Sequence, residues 1–313
     1  MAQYKRPPRE NVHGIVLLNK PVGDSSNGIL QKVIRIFNAK KGGHTGALDP
    51  FATGLLPICL GEATKVSGLL LESDKRYTAT LKLGEKSDTG DTEGEIIQTL
   101  PVPELTAEKI ESVFEQFTGD ILQVPPMYSA LKHEGKPLYY YARKGIEIDR
   151  PARPITIKAL NLISFSQEQL VFDVLCTKGT YVRTLGEDIA EALGTVGHLT
   201  ALHRTQTGSL SGDDMITLDE IEQQKQACLK PLDISLGHLQ RIDLNAEQTQ
   251  LIKYGQKLEV PQPDTQLVRF YDDHGVFFAV GEWQAEKNLL KPKRVFNLEE
   301  PIEGDTTTKQ DQS

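Results

Sequence analysis

Residues 76–84, RYTATLKLG, alternate without interruption, with Tyr77, Ala79, Leu81 and Leu83 on one side and Thr78, Thr80 and Lys82 on the other. A period of two belongs to a β-strand, whose successive side chains point to opposite faces. One of those faces is apolar and must be covered, so the chain has to build a sheet with something packed against it. Two stretches have the 3.6-residue period of such a cover. In SSNGILQKVIRIFNAKK, the residues Ile29, Leu30, Val33, Ile34 and Phe37 share one helical stripe behind a Ser25/Ser26 cap. In TAEKIESVFEQFTG, Ile110, Val113, Phe114 and Phe117 do the same, with Gly119 as the stop.

The remaining elements follow the same logic. GIVLLNKPVG reads as a short strand closed by Pro-Gly turn signals, and GEATKVSGLLLES as a helix. SDTGDTEGEII reads as a polar loop leading into a strand, ITIKALNLISFS and QLVFDVLCTKG as a hairpin, and TYVRTLGEDIAEALG as a helix ending at Gly194. Residues 123–154 break this rhythm with five prolines and four tyrosines, and are expected to leave the domain with a short helix around Leu138–Arg143. The pattern predicts an α+β fold, a mixed and largely antiparallel sheet with flanking helices, over residues 1–235. A small β-rich domain is expected over 236–299, and a polar, disordered tail over 300–313. A length of 313 residues suits two domains.

No apolar run reaches membrane-spanning length, and the opening MAQYKRPPRENVHG has no apolar core of the kind a secretion signal carries. The three scattered cysteines, Cys59, Cys176 and Cys228, argue for a reducing cytoplasm rather than a disulfide framework. No spacing of Cys, His or acids resembles a metal site. His198 and His203, read as part of a helix, fall five apart and on different faces. The net charge of −8 is unevenly spread. Residues 1–44 hold eight Lys/Arg against two acids and residues 128–158 seven against three, while 85–120 hold ten acids and two bases. Two basic segments are therefore available to a polyanion in an acidic protein, although a well-mixed solvated surface accounts for the same numbers.

The run GGHTGALDPFATGLLP, Gly42 to Pro57, reads as a turn-rich loop whose only ionisable groups are His44 and Asp49. Three readings of Asp49 stay open on local chemistry. An Asp before Pro starts turns and caps a nearby N–H. A general acid or base would want a second carboxylate, and the loop supplies none. A lone nucleophile needs a dry pocket, which Ala47, Leu48, Phe51, Leu55 and Leu56 would give, and a cation to keep it ionised.

HTGALDPFATGLLP, followed by GEATK and KRY, resembles the catalytic motif of the TruB family of tRNA pseudouridine synthases. LNKPVG precedes it, VPPMYSALKHEGKPLYYYARKG resembles the family's RNA-gripping thumb, and CTKGTYVRTLGEDIAEALG resembles its later active-site motif. These features occur in family order across residues 12–210. The C-terminal part resembles the family's PUA-like domain more loosely.

The resemblance implies the pseudouridine-synthase fold and the conversion of the T-arm uridine at position 55 of tRNA to pseudouridine. It implies no cofactor, no metal, a monomer, and tRNA as the partner. Asp49 then takes the role of the group that drives N1–C1′ cleavage and C5 reattachment, and Arg183 pairs with it and keeps it charged. Tyr77 stacks on the flipped base and is a candidate to take the C5 proton. Tyr181 lies in the same motif as Arg183, in the substrate pocket. Leu202 lines the uridine pocket, and His44 contacts the RNA and helps extrude the nucleotide. Lys20 and Lys65 bind phosphate, brace the pocket, or form a purely structural ion pair. Two rivals stand beside this reading: an RNA-binding module that refolds tRNA without catalysis, and the catalytic subunit of a guide-RNA ribonucleoprotein.

Overall fold

The computed structural model describes residues 8–298. The expected disordered tail and the first seven residues of the basic segment 1–44 lie outside them. The chain enters on β1 (Gly14–Lys20), passes through α1 (Ser26–Ile36) and returns on β2 (Gly42–His44) and β3 (Thr53–Leu60). A 3-10 turn (Gly61–Lys65) and the short α2 (Ser67–Leu71) lead to β4 (Lys75–Leu83). A hairpin of β5 (Glu85–Ser87) and β6 (Ile96–Thr99) comes before α3 (Ala107–Phe117) and β7 (Gly119–Gln123). The excursion that follows holds β8 (Lys132–His133), β9 (Lys136–Pro137) and α4 (Leu138–Ala142). The chain then forms β10 (Arg153–Phe165), β11 (Gln169–Cys176), α5 (Val182–Ala192), β12 (Gly197–Thr207) and β13 (Leu210–Ser211).

The main sheet has the order β1-β3-β12-β4-β11-β10-β7, with β2 beside β3 and β13 beside β12. Every pairing in it is antiparallel except β12 with β3, where Thr53 faces His203 and Gly54 faces Arg204. The alternation in β4 puts Ala79, Leu81 and Leu83 into the core under α1, α3 and α5, with Tyr77 packed at its margin. Phe114 of α3 meets Phe172 of β11 edge to face at 5.8 Å between ring centres.

Strands β1 and β3 do not alternate between apolar and polar because both of their faces are dry. Val16 and Leu18 enter the core under the helices, whereas Ile15 and Leu17 enter a second cluster with Leu236, Phe277 and Phe296. That second cluster is the seam with the C-terminal part. There α6 (Leu218–Gln224), β14 (Gln240–Asp243), α7 (Ala246–Lys253), β15 (Leu258–Glu259), β16 (Leu267–Tyr271), β17 (Phe277–Gln284) and β18 (Leu289–Val295) follow one another. The last five strands form a small separate sheet in the order β14-β16-β17-β18-β15.

Four local expectations are corrected. The run Gly42–Pro57 is not all loop, since its ends are β2 and β3 and only residues 45–52 turn between them. GEATKVSGLLLES is not one helix. Gly61 sits at φ +55°, and the segment splits into a 3-10 turn and a five-residue helix, as β-branched Thr64 and Val66 with Gly68 would favour. His198 and His203 lie on a strand, β12, where His198 Nδ1 meets the Glu85 carbonyl and His203 Nδ1 meets Thr53 Oγ1, each at 2.8 Å. LNAEQTQLIK, read among short strands and turns, contains α7, with a reciprocal Asn245–Gln248 capping box. Among the described residues no helix is long and apolar enough to cross a membrane.

Candidate active site

Asp49 projects from the 45–52 turn, and the shape of that turn is imposed from outside it. Arg204, fully buried on β12, donates from Nε to the Leu55 carbonyl at 2.7 Å, from Nη2 to Gly46 at 3.0 Å and from Nη1 to Ala47 at 3.5 Å. On the other side Lys20, the last residue of β1, donates from Nζ to the carbonyls of Pro50 at 3.1 Å and Ala52 at 2.8 Å. The Leu48 N–H donates to Ser26 Oγ at 2.8 Å. Buried carbonyls need donors, and here two cations supply them. Gly54 is required by the same arrangement. It holds φ +97°, and a Cβ there would lie 2.4 Å from the Arg204 carbonyl oxygen.

Arg183 approaches Asp49 from the first turn of α5. Gln123 at the end of β7 sets the start of that helix, because its side chain accepts from the Tyr181 N–H at 2.8 Å and donates to the Tyr181 carbonyl at 3.1 Å. The guanidinium is 5% exposed, and its Nε lies 2.9 Å from Asp49 Oδ2. Its Nη1 donates to the Thr89 carbonyl at 2.7 Å and lies 3.4 Å from Asp91 Oδ2, while Nη2 donates to the Tyr128 carbonyl at 2.8 Å. Tyr128 belongs to the excursion, so the base of that segment is tied to the same cation.

Burial raises the Asp49 pKa above the ordinary aspartate value, Arg183 opposes the rise, and the Asp91 charge adds to it. The carboxylate lies deep in the fold yet keeps 42% of its side chain open. That opening gives onto cavities. One, of about 300 Å³, is lined by Asp49, Tyr77, Tyr181, Arg183 and Leu202, a size suited to a small ring system. The other, of about 430 Å³, shares the wall made by Asp49 and Arg183 and is bordered by His44, Asp91 and Glu93. Burial pushes the Tyr77 and Tyr181 phenols up, which keeps both neutral near pH 7. Burial, with Arg204 adding to it, lowers the pKa of His44, whose buried Nδ1 has no hydrogen-bond partner among the described residues. A poised carboxylate, a neutral aromatic ring and an apolar wall around one cavity suit covalent or ion-stabilising chemistry on a flat heterocycle.

Residues 34–182 match the family model described as TruB family pseudouridylate synthase (N terminal domain). Residues 183–237 match the tRNA pseudouridylate synthase B C-terminal domain, and 241–296 match pseudouridine synthase II TruB, C-terminal. The chain is 67% identical over 289 residues to tRNA pseudouridine synthase B of Hydrogenovibrio crunogenus, covering 92% of this chain and 95% of that one. The chain belongs to the TruB family of tRNA pseudouridine synthases. Its identity to the enzyme of the same name from Neisseria meningitidis serogroup B is 48%, over 93% of this chain and 97% of that one. Among solved structures, a Cbf5–Nop10–Gar1 complex shares the fold, with a TM-score of 0.69, 24% identity, and coverage of 92% of this chain and 84% of that one.

In this TruB-family chain the sequence-predicted residues divide into three groups. Asp49, Tyr77, Tyr181, Arg183 and Leu202 meet on one cavity, and His44 borders the adjoining one. Lys20 lies behind the loop with its ammonium committed to backbone carbonyls, an arrangement that braces the pocket and leaves no donor for phosphate. Lys65 is not in the pocket and takes the last of its expected roles, a structural ion pair. It is in neither cavity wall, since its ammonium pairs with Glu62 and donates to the Val295 carbonyl at 2.9 Å, across the seam to the C-terminal sheet. Sequence reasoning missed Arg204 and Asp91. Arg204 lies two residues beyond Leu202 in GHLTALHRTQ, and reading that run as a strand would have put both on one face. Asp91 had no signal beyond one acid among many in SDTGDTEGE.

Proposed function

We propose that the enzyme isomerises the uridine at position 55 in the T-arm of tRNA, acting as a monomer in the cytoplasm. The observation that carries this reading is the Asp49–Arg183 pair opening into a cavity that Tyr77 and Leu202 also line. The uridine leaves the loop stack and enters that cavity, with its ring against Tyr77, a contact worth about 1–3 kcal/mol that is indifferent to base identity. Asp49, kept as a carboxylate by Arg183, drives cleavage of the N1–C1′ bond. The freed uracil turns, C5 bonds to C1′, the C5 proton leaves, and N1 gains a proton. Substrate and product have the same atoms, so the balance closes with no redox partner. Tyr77, with the Arg204 cation near it, is a neutral hydroxyl beside the ring and the candidate to pass the C5 proton. His44, at the second cavity, faces the RNA from which the nucleotide is drawn.

Tritium release from C5 of an unmodified T-arm stem-loop tests this, with Asp49→Asn alongside and RNA binding measured in parallel. Release by the wild type and none from a variant that still binds is the expected result. Binding by both with release by neither would instead support a tRNA-refolding module.

A further inference from the structure

A nucleotide drawn into the 300 Å³ cavity brings its flanking phosphodiesters to the mouth, and each carries a full negative charge that needs a partner there. Among the described residues four cations line the cavity: Lys75, Lys178, Arg183 and Arg204. Three are already committed. Arg183 is held by two carboxylates and two carbonyls, and Arg204 by three carbonyls of the catalytic loop and the strand after it. Lys75 is buried, and its Nζ donates to the carbonyls of Leu70, Leu71 and Ser73.

Lys178 differs from all three. It sits in the turn between β11 and α5 with its side chain 53% exposed, and its partner is Glu72, itself 64% exposed at the end of α2. The neighbours of Lys178 and Glu72, Thr177, Gly179 and Leu71, are also in the cavity wall, so the pair bridges two sides of one opening. The backbone beneath Lys178 is fixed. The Thr177 N–H donates to the Thr156 carbonyl at 3.0 Å, and the Thr156 N–H donates to Thr177 Oγ1 at 2.9 Å. Only the side chain is free to change partner, and an exposed lysine–glutamate pair is held weakly enough to exchange.

We infer that Lys178 binds a phosphate flanking the target nucleotide, and that Glu72 holds its ammonium at the cavity mouth until that phosphate replaces the carboxylate. This rests on the reading above, in which the target uridine occupies this cavity. Glu72 therefore acts as a placeholder that RNA displaces. It positions the lysine in the free enzyme and competes weakly with the substrate.

The test pairs the enzyme with unmodified T-arm stem-loops that carry a single methylphosphonate, uncharged, on the 5′ or the 3′ side of the target uridine. Kd is measured over a salt series for the wild type, Lys178→Ala, Lys178→Arg and Glu72→Gln, with thermal melts to check that each variant is folded. Lys178→Ala is expected to raise Kd several-fold, lower the salt slope by about one, and lose nothing further on one of the two methylphosphonate RNAs. Lys178→Arg keeps most of the affinity, and Glu72→Gln binds more tightly at low salt only while Lys178 is present. An unchanged slope in Lys178→Ala, or losses from substitution and methylphosphonate that add in full on both RNAs, overturns the inference. Tritium release by the wild type, measured on the same stem-loop, separates that failure from failure of the functional reading.

Discussion

Arg183 and Asp91 meet at 3.4 Å, Nη1 to Oδ2, and both side chains are at most 5% exposed. One guanidinium is thus shared between a carboxylate open to the cavity, Asp49, and a sealed one. Asp91 is itself fixed by Thr89 Oγ1 at 2.6 Å and by the Glu93 N–H at 3.0 Å. The buried acid anchors the arginine, and the arginine aims the open acid.

Arg183→Met strands the sealed Asp91 carboxylate, and breaking a buried pair in this way costs about 3–5 kcal/mol. Thermal melting should show that loss, and single-turnover tritium release should fall by at least about a hundredfold. Arg183→Lys keeps the charge but lacks the fork that reaches four acceptors, so it should rescue stability more than rate.

Asp91→Asn removes a charge while leaving the turn able to form. The Asp91 charge helps raise the pKa of Asp49, so its loss lowers that pKa. In the proposed mechanism Asp49 works as the carboxylate, so activity should rise as pH climbs through its pKa. The acid limb of the single-turnover pH–rate profile should therefore move to lower pH in Asp91→Asn. A limb that stays in place would mean that Asp91 does not act electrostatically on Asp49.

Lys20→Met separates bracing from phosphate binding. The rate should fall as the Pro50 and Ala52 carbonyls lose their donor, while the salt slope of RNA binding stays as in the wild type. Burial lowers the Lys20 pKa to about 8. Between that value and the ordinary lysine value, about 10.4, the unfolded chain binds more protons than the folded one, so this group makes stability rise with pH there. Urea melts at pH 8 and pH 10 should show a smaller rise in Lys20→Met.

Gly54→Ala forces a Cβ to within 2.4 Å of a backbone oxygen at a left-handed φ. The strain and the overpacking together should cost about 2–5 kcal/mol in a denaturant melt. Gly43, with open space around it, serves as the control and should tolerate alanine far better.

The amphipathic elements were legible because water enforces their period. The alternation in β4 and the stripes of α1 and α3 are each the record of one wet and one dry face. Strand β3 reads as loop because both its faces are dry and its Gly54 and Pro57 imitate a turn. Strand β12 is hard to read because His198 and Arg204 sit in it as buried hydrogen-bonding groups, with the half-buried His203 between them. The site divides in the same way. Asp49 looked like a turn starter on local chemistry, since its partner lies 134 positions away in the chain, and only the family resemblance linked the two. Nothing in the sequence around Lys65 separates a pocket lysine from one that ties two sheets together.

The catalytic turn owns its letters but not its shape. The carbonyls of Gly46, Ala47, Pro50 and Ala52 are all handed to Lys20 and Arg204, whose positions lie on either side of the motif in the chain. A transplant of HTGALDP into a foreign sheet would arrive as a floppy peptide with an ordinary aspartate. The smallest portable version of this active site is therefore discontinuous: the run 44–52, Lys20 and Arg204 as struts, a glycine that lets one of them pass, and Arg183 to aim the acid.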